Sequence, residues 1–295
     1  MDNLARHSGG KRLRARRAGL VLGAPLLALV LAGCSQEAQD QWKNLSLPEG
    51  VTQESHLVEQ LWRGSWITAL VVGVVVWGLI ALCCILFRRR RHERGFPPQV
   101  RYNVPIEVLY TALPFIIITV LFFFTARDET KLLQLSSQPP VHQVNVVGFR
   151  WGWDFNYKPV PGSPVPAAGV YEHGIPAEPS TLVLPRGEKV RFILEARDVI
   201  HSFWVPAFLF KLDVIPGREN VFEVTPEKLG TYAGKCAELC GLDHARMLFN
   251  VQVVEPAEYR AYLERLAAEG QVGELPAENG PVEVEESEPE AESRL

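Results

Sequence analysis

Apolar residues are laid out along this chain in three successive patterns. The N-terminus is basic ("GGKRLRARRAG"), then apolar ("LVLGAPLLALV"), then closes on "LAGC" at Leu31 to Cys34. That order is a secretory leader. Two long, largely apolar segments follow, Trp66–Phe87 and Pro105–Thr125, each long enough to cross a bilayer as a helix. Pro114 lies inside the second, which membrane helices tolerate. From about Val141 the runs shorten and become β-branched: "VHQVNVVGF", "STLVLP", "KVRFILEA", "NVFEVTP", "GTYAGKC" and "MLFNVQVVE". Pro and Gly clusters separate them, so the region reads as an all-β sandwich or barrel. "PAEYRAYLERLAAEG" then reads as a helix. The tail from Glu274 is acidic, Pro-containing and poor in aromatics, the signature of disorder.

The resulting layout is a leader over 1–33, an external segment over 34–65 and spans over 66–87 and 105–126. A loop over 88–104 joins the spans, a linker covers 127–139, the β domain 140–256, and a helix with the acidic tail 257–295. The loop between the spans carries Arg88 to Arg91, Arg94 and Arg101, and Arg-rich short loops stay cytoplasmic. The β domain is therefore expected on the outer side of a bacterial cytoplasmic membrane. "LAGC" is similar to a bacterial lipobox, which implies cleavage before Cys34 and lipidation of its thiol.

The 295 residues include 47% hydrophobic and 22% charged side chains, a mixture that fits apolar spans joined to a polar domain. A net charge of −4 gives no nucleic-acid signal. The five cysteines do not form a disulfide framework: Cys83 and Cys84 lie within an apolar run, and Cys34 ends the leader.

Of only two methionines, one is the initiator and the other closes "GKCAELCGLDHARM". That stretch offers Cys236, Cys240, His244 and Met247, and "DVIHSFWVP" adds His201 upstream. Two thiols, two imidazoles and a thioether form a soft set that suits copper, zinc or iron–sulfur. Zinc would take four ligands and leave Met247 unused. One blue-copper ion would leave a cysteine unused. Two copper ions bridged by both thiolates would use the whole set. Ligand chemistry alone leaves these alternatives open.

The run "DVIHSFWVPAFLFKLDVIPGRENVFEVTPEKLGTYAGKCAELCGLDHARMLFNVQVV" resembles the copper domain of subunit II of haem–copper cytochrome c oxidases. "FRWGWDFNY", the two spans and "IEVLYTALP" extend the likeness over roughly residues 66–255. The resemblance implies a two-helix transmembrane hairpin carrying a cupredoxin-like Greek-key sandwich. It also implies a dinuclear copper centre, CuA, held by His201, Cys236, Cys240, His244, Met247 and the backbone carbonyl of Glu238. The Glu238 side chain would help bind a magnesium or manganese ion shared with the catalytic subunit. Trp151 would be the point of electron entry, and Glu107 would stand near the entrance of a proton path. The implied partners are catalytic subunit I, other oxidase subunits and cytochrome c, with oxygen reduced to water and protons pumped. The family usually has an aromatic residue where this chain has Gly152. Asp198 is a candidate for steering a basic cytochrome. A quinol oxidase subunit would lack the ligand set, nitrous oxide reductase would add a large catalytic domain, and a copper-delivery protein would not need His244 and Met247.

Overall fold

The computed structural model describes residues 43–88, 95–96, 99–159 and 161–277. The leader with Cys34, the arginines at 89–91 and 94, and the tail from residue 278 lie outside the described residues. Residues 43–49 belong to a unit of their own, a turn in which Leu45 and Ser46 take positive φ values of 55° and 66°. Everything from Gly50 onward forms the second unit.

Two long helices open that second unit. Helix α1 spans Ser55–Leu86 and helix α2 spans Val104–Leu132, 32 and 29 residues long. Both are long and apolar enough to cross a membrane. Each is longer than its apolar run. Helix α1 starts eleven residues before Trp66, where the Ser55 amide donates to Thr52 Oγ1 and the Ser55 hydroxyl donates to the Thr52 carbonyl. Helix α2 begins behind Asn103, whose side chain accepts from the Ile106 amide at 3.4 Å. It then continues through the first six residues of the expected linker. At about 1.5 Å per residue, α1 is roughly 48 Å long, well beyond a hydrocarbon core of about 30 Å.

The β domain comprises β1 (His142–Phe149), β2 (Gly152–Tyr157), β3 (Val170–Gly174), β4 (Thr181–Pro185) and β5 (Val190–Ala196). It continues with β6 (His201–Val205), β7 (Phe210–Val214), β8 (Asn220–Val224), β9 (Gly230–Cys236) and β10 (Leu248–Val254). They form two five-stranded sheets, ordered β3-β2-β1-β5-β8 and β4-β10-β9-β6-β7. The β1–β5 and β4–β10 pairs are parallel, and the remaining strand pairs antiparallel. The architecture is the cupredoxin-like sandwich that the resemblance implies.

Aromatic rings join the two sheets. Trp153 meets Phe249 at 5.4 Å, Phe192 stacks on Phe203 at 5.9 Å, and Phe210 meets Phe222 at 4.9 Å. Each fully buried ring of this kind is worth about 1.5–3 kcal/mol. Strand β5 shows the period-2 pattern of a sheet wet on one side: Val190, Phe192, Leu194 and Ala196 are buried and alternate with half-exposed residues.

Strand β2 departs from that rule, because all six of its residues are buried. Its outer face carries Asp154 and Asn156, and the chain that follows helix α3 (Pro256–Ala268) covers them. Asn156 exchanges two hydrogen bonds with the backbone of Leu275, at 3.0 and 2.9 Å. Asp154 is held by His173 Nδ1 at 2.6 Å and Arg197 Nη2 at 2.9 Å, and Arg197 also donates to the Pro276 carbonyl. Burial still dominates at Asp154 and pushes its carboxyl above the ordinary range, despite the hydrogen bonds from His173 and Arg197.

Candidate metal centre

Two neighbouring strands bring the candidate ligands to one end of the sandwich. His201 opens β6 and Cys236 closes β9, and the strands pair with Phe203 opposite Cys236. From Cys236 the chain leaves the sheet, forms a loop, and returns through a 3-10 turn at His244–Arg246 to Met247 and β10. The Cys236 amide donates to the Met247 carbonyl at 3.1 Å and closes the loop at its base. The Trp153 indole donates to the same carbonyl at 3.5 Å, so the core supports the site directly.

Five side chains converge there. The thiols of Cys236 and Cys240 lie 3.9 Å apart. His201 Nδ1 is 3.9 Å from the Cys236 sulfur, and His244 Nδ1 is 3.6 Å from the Cys240 sulfur. Met247 Sδ lies 3.7 Å from Cys240, and the Glu238 carbonyl oxygen 3.2 Å from Cys236. His201, Cys236, Cys240 and Met247 are all buried, and His244 is half-buried. The set has a two-ended arrangement. Each thiol has one imidazole nitrogen of its own, with a carbonyl at one end and a thioether at the other. Soft ligands in a dry, preformed pocket fit a soft metal, and two thiols between two imidazoles fit a pair of ions better than a single one.

The charges around the pocket are set by its neighbours. Burial alone would raise the Cys236 thiol, but hydrogen bonds from His201 and the nearby backbone amides outweigh it and pull the thiol down. Burial and the adjacent Cys236 push the Cys240 thiol up instead. A metal-free site thus favours one thiolate at a time, since two in contact repel.

The family model for the periplasmic domain of cytochrome c oxidase subunit II matches residues 143–254. A probable cytochrome c oxidase subunit 2 of Streptomyces avermitilis is 49% identical over 297 residues, covering 90% of each chain. The cytochrome c oxidase subunit 2 of Mycobacterium bovis is 34% identical, over 88% of this chain and 84% of that one. The chain belongs to the cytochrome c oxidase subunit 2 family. Among solved structures, the periplasmic domain of subunit II of the Bradyrhizobium japonicum oxidase aligns with a TM-score of 0.39 and 29% identity. It covers 45% of this chain and 99% of that one.

The other residues singled out in this subunit 2 sequence occupy varied settings. Trp151 is half-buried beside the metal loop and donates its indole N–H to the Cys240 carbonyl at 3.2 Å. Trp153 is fully buried in the core. Gly152, between them, has no room for a side chain. A Cβ there would fall 2.1 Å from the Gly174 carbonyl and 2.6 Å from the Phe149 ring, so an aromatic residue is sterically excluded in this chain. The Glu238 side chain is exposed. Glu107 stands in the first turn of α2 and accepts from the Asn103 amide at 2.9 Å, completing a reciprocal cap with Asn103.

Asp198 is turned toward the site rather than standing free on the rim. Its side chain is only 10% exposed and accepts hydrogen bonds from His201 Nε2 at 2.9 Å, the Val199 amide at 2.6 Å and the Arg150 amide at 2.7 Å. Burial works to raise its carboxyl, but these donors and the His201 charge hold it at about 2. Asp198 thus fixes the imidazole tautomer and turns Nδ1 toward the thiols, as outer-shell carboxylates do at metal sites. Its position three residues before a candidate ligand was the available signal. Gly241 and Arg150 were not legible as site residues, since their contacts form only in the fold.

Proposed function

We propose that this chain is the electron-entry subunit of its oxidase, taking electrons singly from a cytochrome c and passing them toward haem in catalytic subunit I. That subunit would reduce oxygen to water and pump protons. His201, Cys236, Cys240, His244, Met247 and the Glu238 carbonyl would hold a dinuclear copper centre of the CuA type. When bound, such a centre supplies a one-electron carrier whose charge is shared between two ions, so its bond lengths change little.

This chain's residues do the rest. The sheets hold the ligands in place, the buried rings of Trp153 and Phe203 keep water from the pocket, and Asp198 orients His201. The observation that carries the reading is the convergence of two thiols, two imidazole Nδ1 atoms and one thioether, each within 3.9 Å of a neighbouring sulfur. Metal analysis of this chain, separated from catalytic subunit I, should give two coppers, and the intact complex should show a purple mixed-valence absorption. One copper, or zinc, in the fully loaded chain would overturn it.

Further roles belong to the same reading. Trp151 would receive the electron, and the exposed Glu238 carboxylate would help bind a magnesium or manganese ion at the catalytic subunit. Glu107 would stand at a proton-path entrance. The two long helices would span a bacterial cytoplasmic membrane with the copper domain outside, and the chain would be cleaved and lipidated at Cys34. Intact mass would report the lipid directly, because a chain retaining Met1 would exclude it.

A further inference from the structure

We infer that the backbone of Cys240 and Gly241 forms a seat that fixes the Trp151 indole against the metal loop, which makes Gly241 a positioning residue for electron entry. The inference rests on the reading of Trp151 as the entry point and adds what holds it there. Two observations define the seat. The indole N–H is hydrogen-bonded to the Cys240 carbonyl at 3.2 Å. At the next residue, a Cβ on Gly241 would lie 3.0 Å from indole Cζ2, 3.2 Å from Nε1 and 3.4 Å from Cε2. The N–H edge of the ring therefore abuts bare backbone at the place where any side chain would push it away. Gly241 also has φ +124°, a conformation that L side chains rarely adopt and glycine takes freely.

A second brace acts on the neighbouring residue. Asp198 accepts from the Arg150 amide at 2.7 Å while its other oxygen accepts from His201 at 2.9 Å. The turn that carries Trp151 is thus tied to His201 on one side and to Cys240 on the other. With the ring seated, a continuous route leads from the indole N–H across one hydrogen bond into the carbonyl of Cys240, then through that residue's own covalent bonds to its sulfur. A ring lifted off the seat would lose both the hydrogen bond and the contact. Electron transfer weakens with every ångström of added gap and with every lost hydrogen bond on the route, so a lifted ring slows the step.

The test uses the assembled oxidase with Gly241→Ala, Trp151→Phe and Trp151→Ala, each compared with the parent complex. Copper content, the mixed-valence spectrum and the rate of copper reduction by cytochrome c in rapid mixing are measured on all four. Ultraviolet resonance Raman difference spectra, parent minus Trp151→Phe, isolate the hydrogen-bond-sensitive indole band of Trp151. In Gly241→Ala that band should move to its weakly bonded position. Copper reduction should slow several-fold, with copper content and spectrum unchanged. Trp151→Phe keeps a flat ring but has no N–H, and it too should slow the step. It decides the matter if the Gly241 variant fails to assemble.

Normal copper reduction in Gly241→Ala, or in Trp151→Phe, would overturn the seat. A disturbed copper spectrum in Gly241→Ala would also overturn it, by showing that the glycine serves the metal loop rather than the indole. Normal reduction in Trp151→Ala would sink the entry reading itself, which is a separate failure.

Discussion

The two helices and the sandwich are built from the same apolar residue types and use them in opposite ways. Along α1 only Ser55 is buried, and along α2 only Asp128, while Val, Leu, Ile and Phe side chains point outward over nearly the whole length of both. In the sandwich the same residue types vanish into a core of rings and branched side chains, and the outer faces are polar. The hairpin therefore takes its stability from what surrounds it, whereas the sandwich supplies its own. The metal loop belongs to the self-sufficient half. Ligands held to a few tenths of an ångström need neighbours that cannot rearrange, and close-packed interiors provide them.

The largest expected effect separates the site from the core beneath it. Cys236→Ser or Cys240→Ser should abolish the mixed-valence copper signal altogether, because only the two thiols together link the imidazole ends. The metal-free domain should unfold at nearly the parental temperature. A variant that keeps the signal would show that one of the thiols does not bridge.

The comparison of the two halves can then be tested with matched substitutions. Phe203 touches Trp153, Phe192, Phe222 and Phe249. Phe203→Ala should destabilise the sandwich by about 3–5 kcal/mol. Phe122 is 70% exposed on α2, and Phe122→Ala should change unfolding of the same domain by less than about 0.5 kcal/mol. Comparable losses in calorimetry would mean that hairpin and sandwich unfold as one cooperative body.

One buried carboxylate couples the halves. Glu223 on β8 accepts from the amide and hydroxyl of Ser136, just beyond α2, and from Arg191 on β5. Burial works to raise its carboxyl, but the Ser136 and Arg191 hydrogen bonds outweigh that and lower it. A depressed folded value contributes stability above the unfolded pKa, near 4.3, and that contribution is lost as pH falls through the folded value. Glu223→Gln should cost about 1–2 kcal/mol at neutral pH, because Arg191 loses its charged partner and keeps only neutral acceptors. It should also flatten the acid limb of the stability curve. An unchanged acid limb would assign the sensitivity to other carboxylates.

Much of this was legible in the sequence, for reasons that differ by region. Long apolar segments report a helix that could cross a membrane, and alternating β-branched segments report half-buried strands, so the helices and six of the ten described strands could be read from pattern. The five soft side chains could be grouped because their chemistry is rare and four of them share one loop. Strand β2 was not legible as a doubly buried strand, because its outer face is covered by residues 271–277, more than a hundred positions away. Asp198 looked like a surface acid, since the Arg150 amide reaches it only when the β1–β2 turn folds onto it. Gly152 looked like a departure from the family until the Phe149 ring was seen in the space a side chain would need.

The smallest expected effect concerns Glu107, where the geometry supplies a second role that has to be separated from the proposed one. Its carboxylate accepts from the Asn103 amide while the Asn103 side chain accepts from the Ile106 amide, so it helps start α2. Removing such a cap typically costs about 1 kcal/mol. Glutamine keeps an amide oxygen that can accept the same bond, but it carries no exchangeable carboxyl proton. Glu107→Gln should therefore leave the helix start and the copper spectrum intact and slow oxygen reduction only if the carboxyl passes protons. Glu107→Ala removes both functions. If steady-state turnover across pH is normal in the Gln variant and reduced only in the Ala variant, the residue is a cap and nothing more. If both variants are slow while their unfolding differs by roughly the value of a cap, the carboxyl handles protons as well.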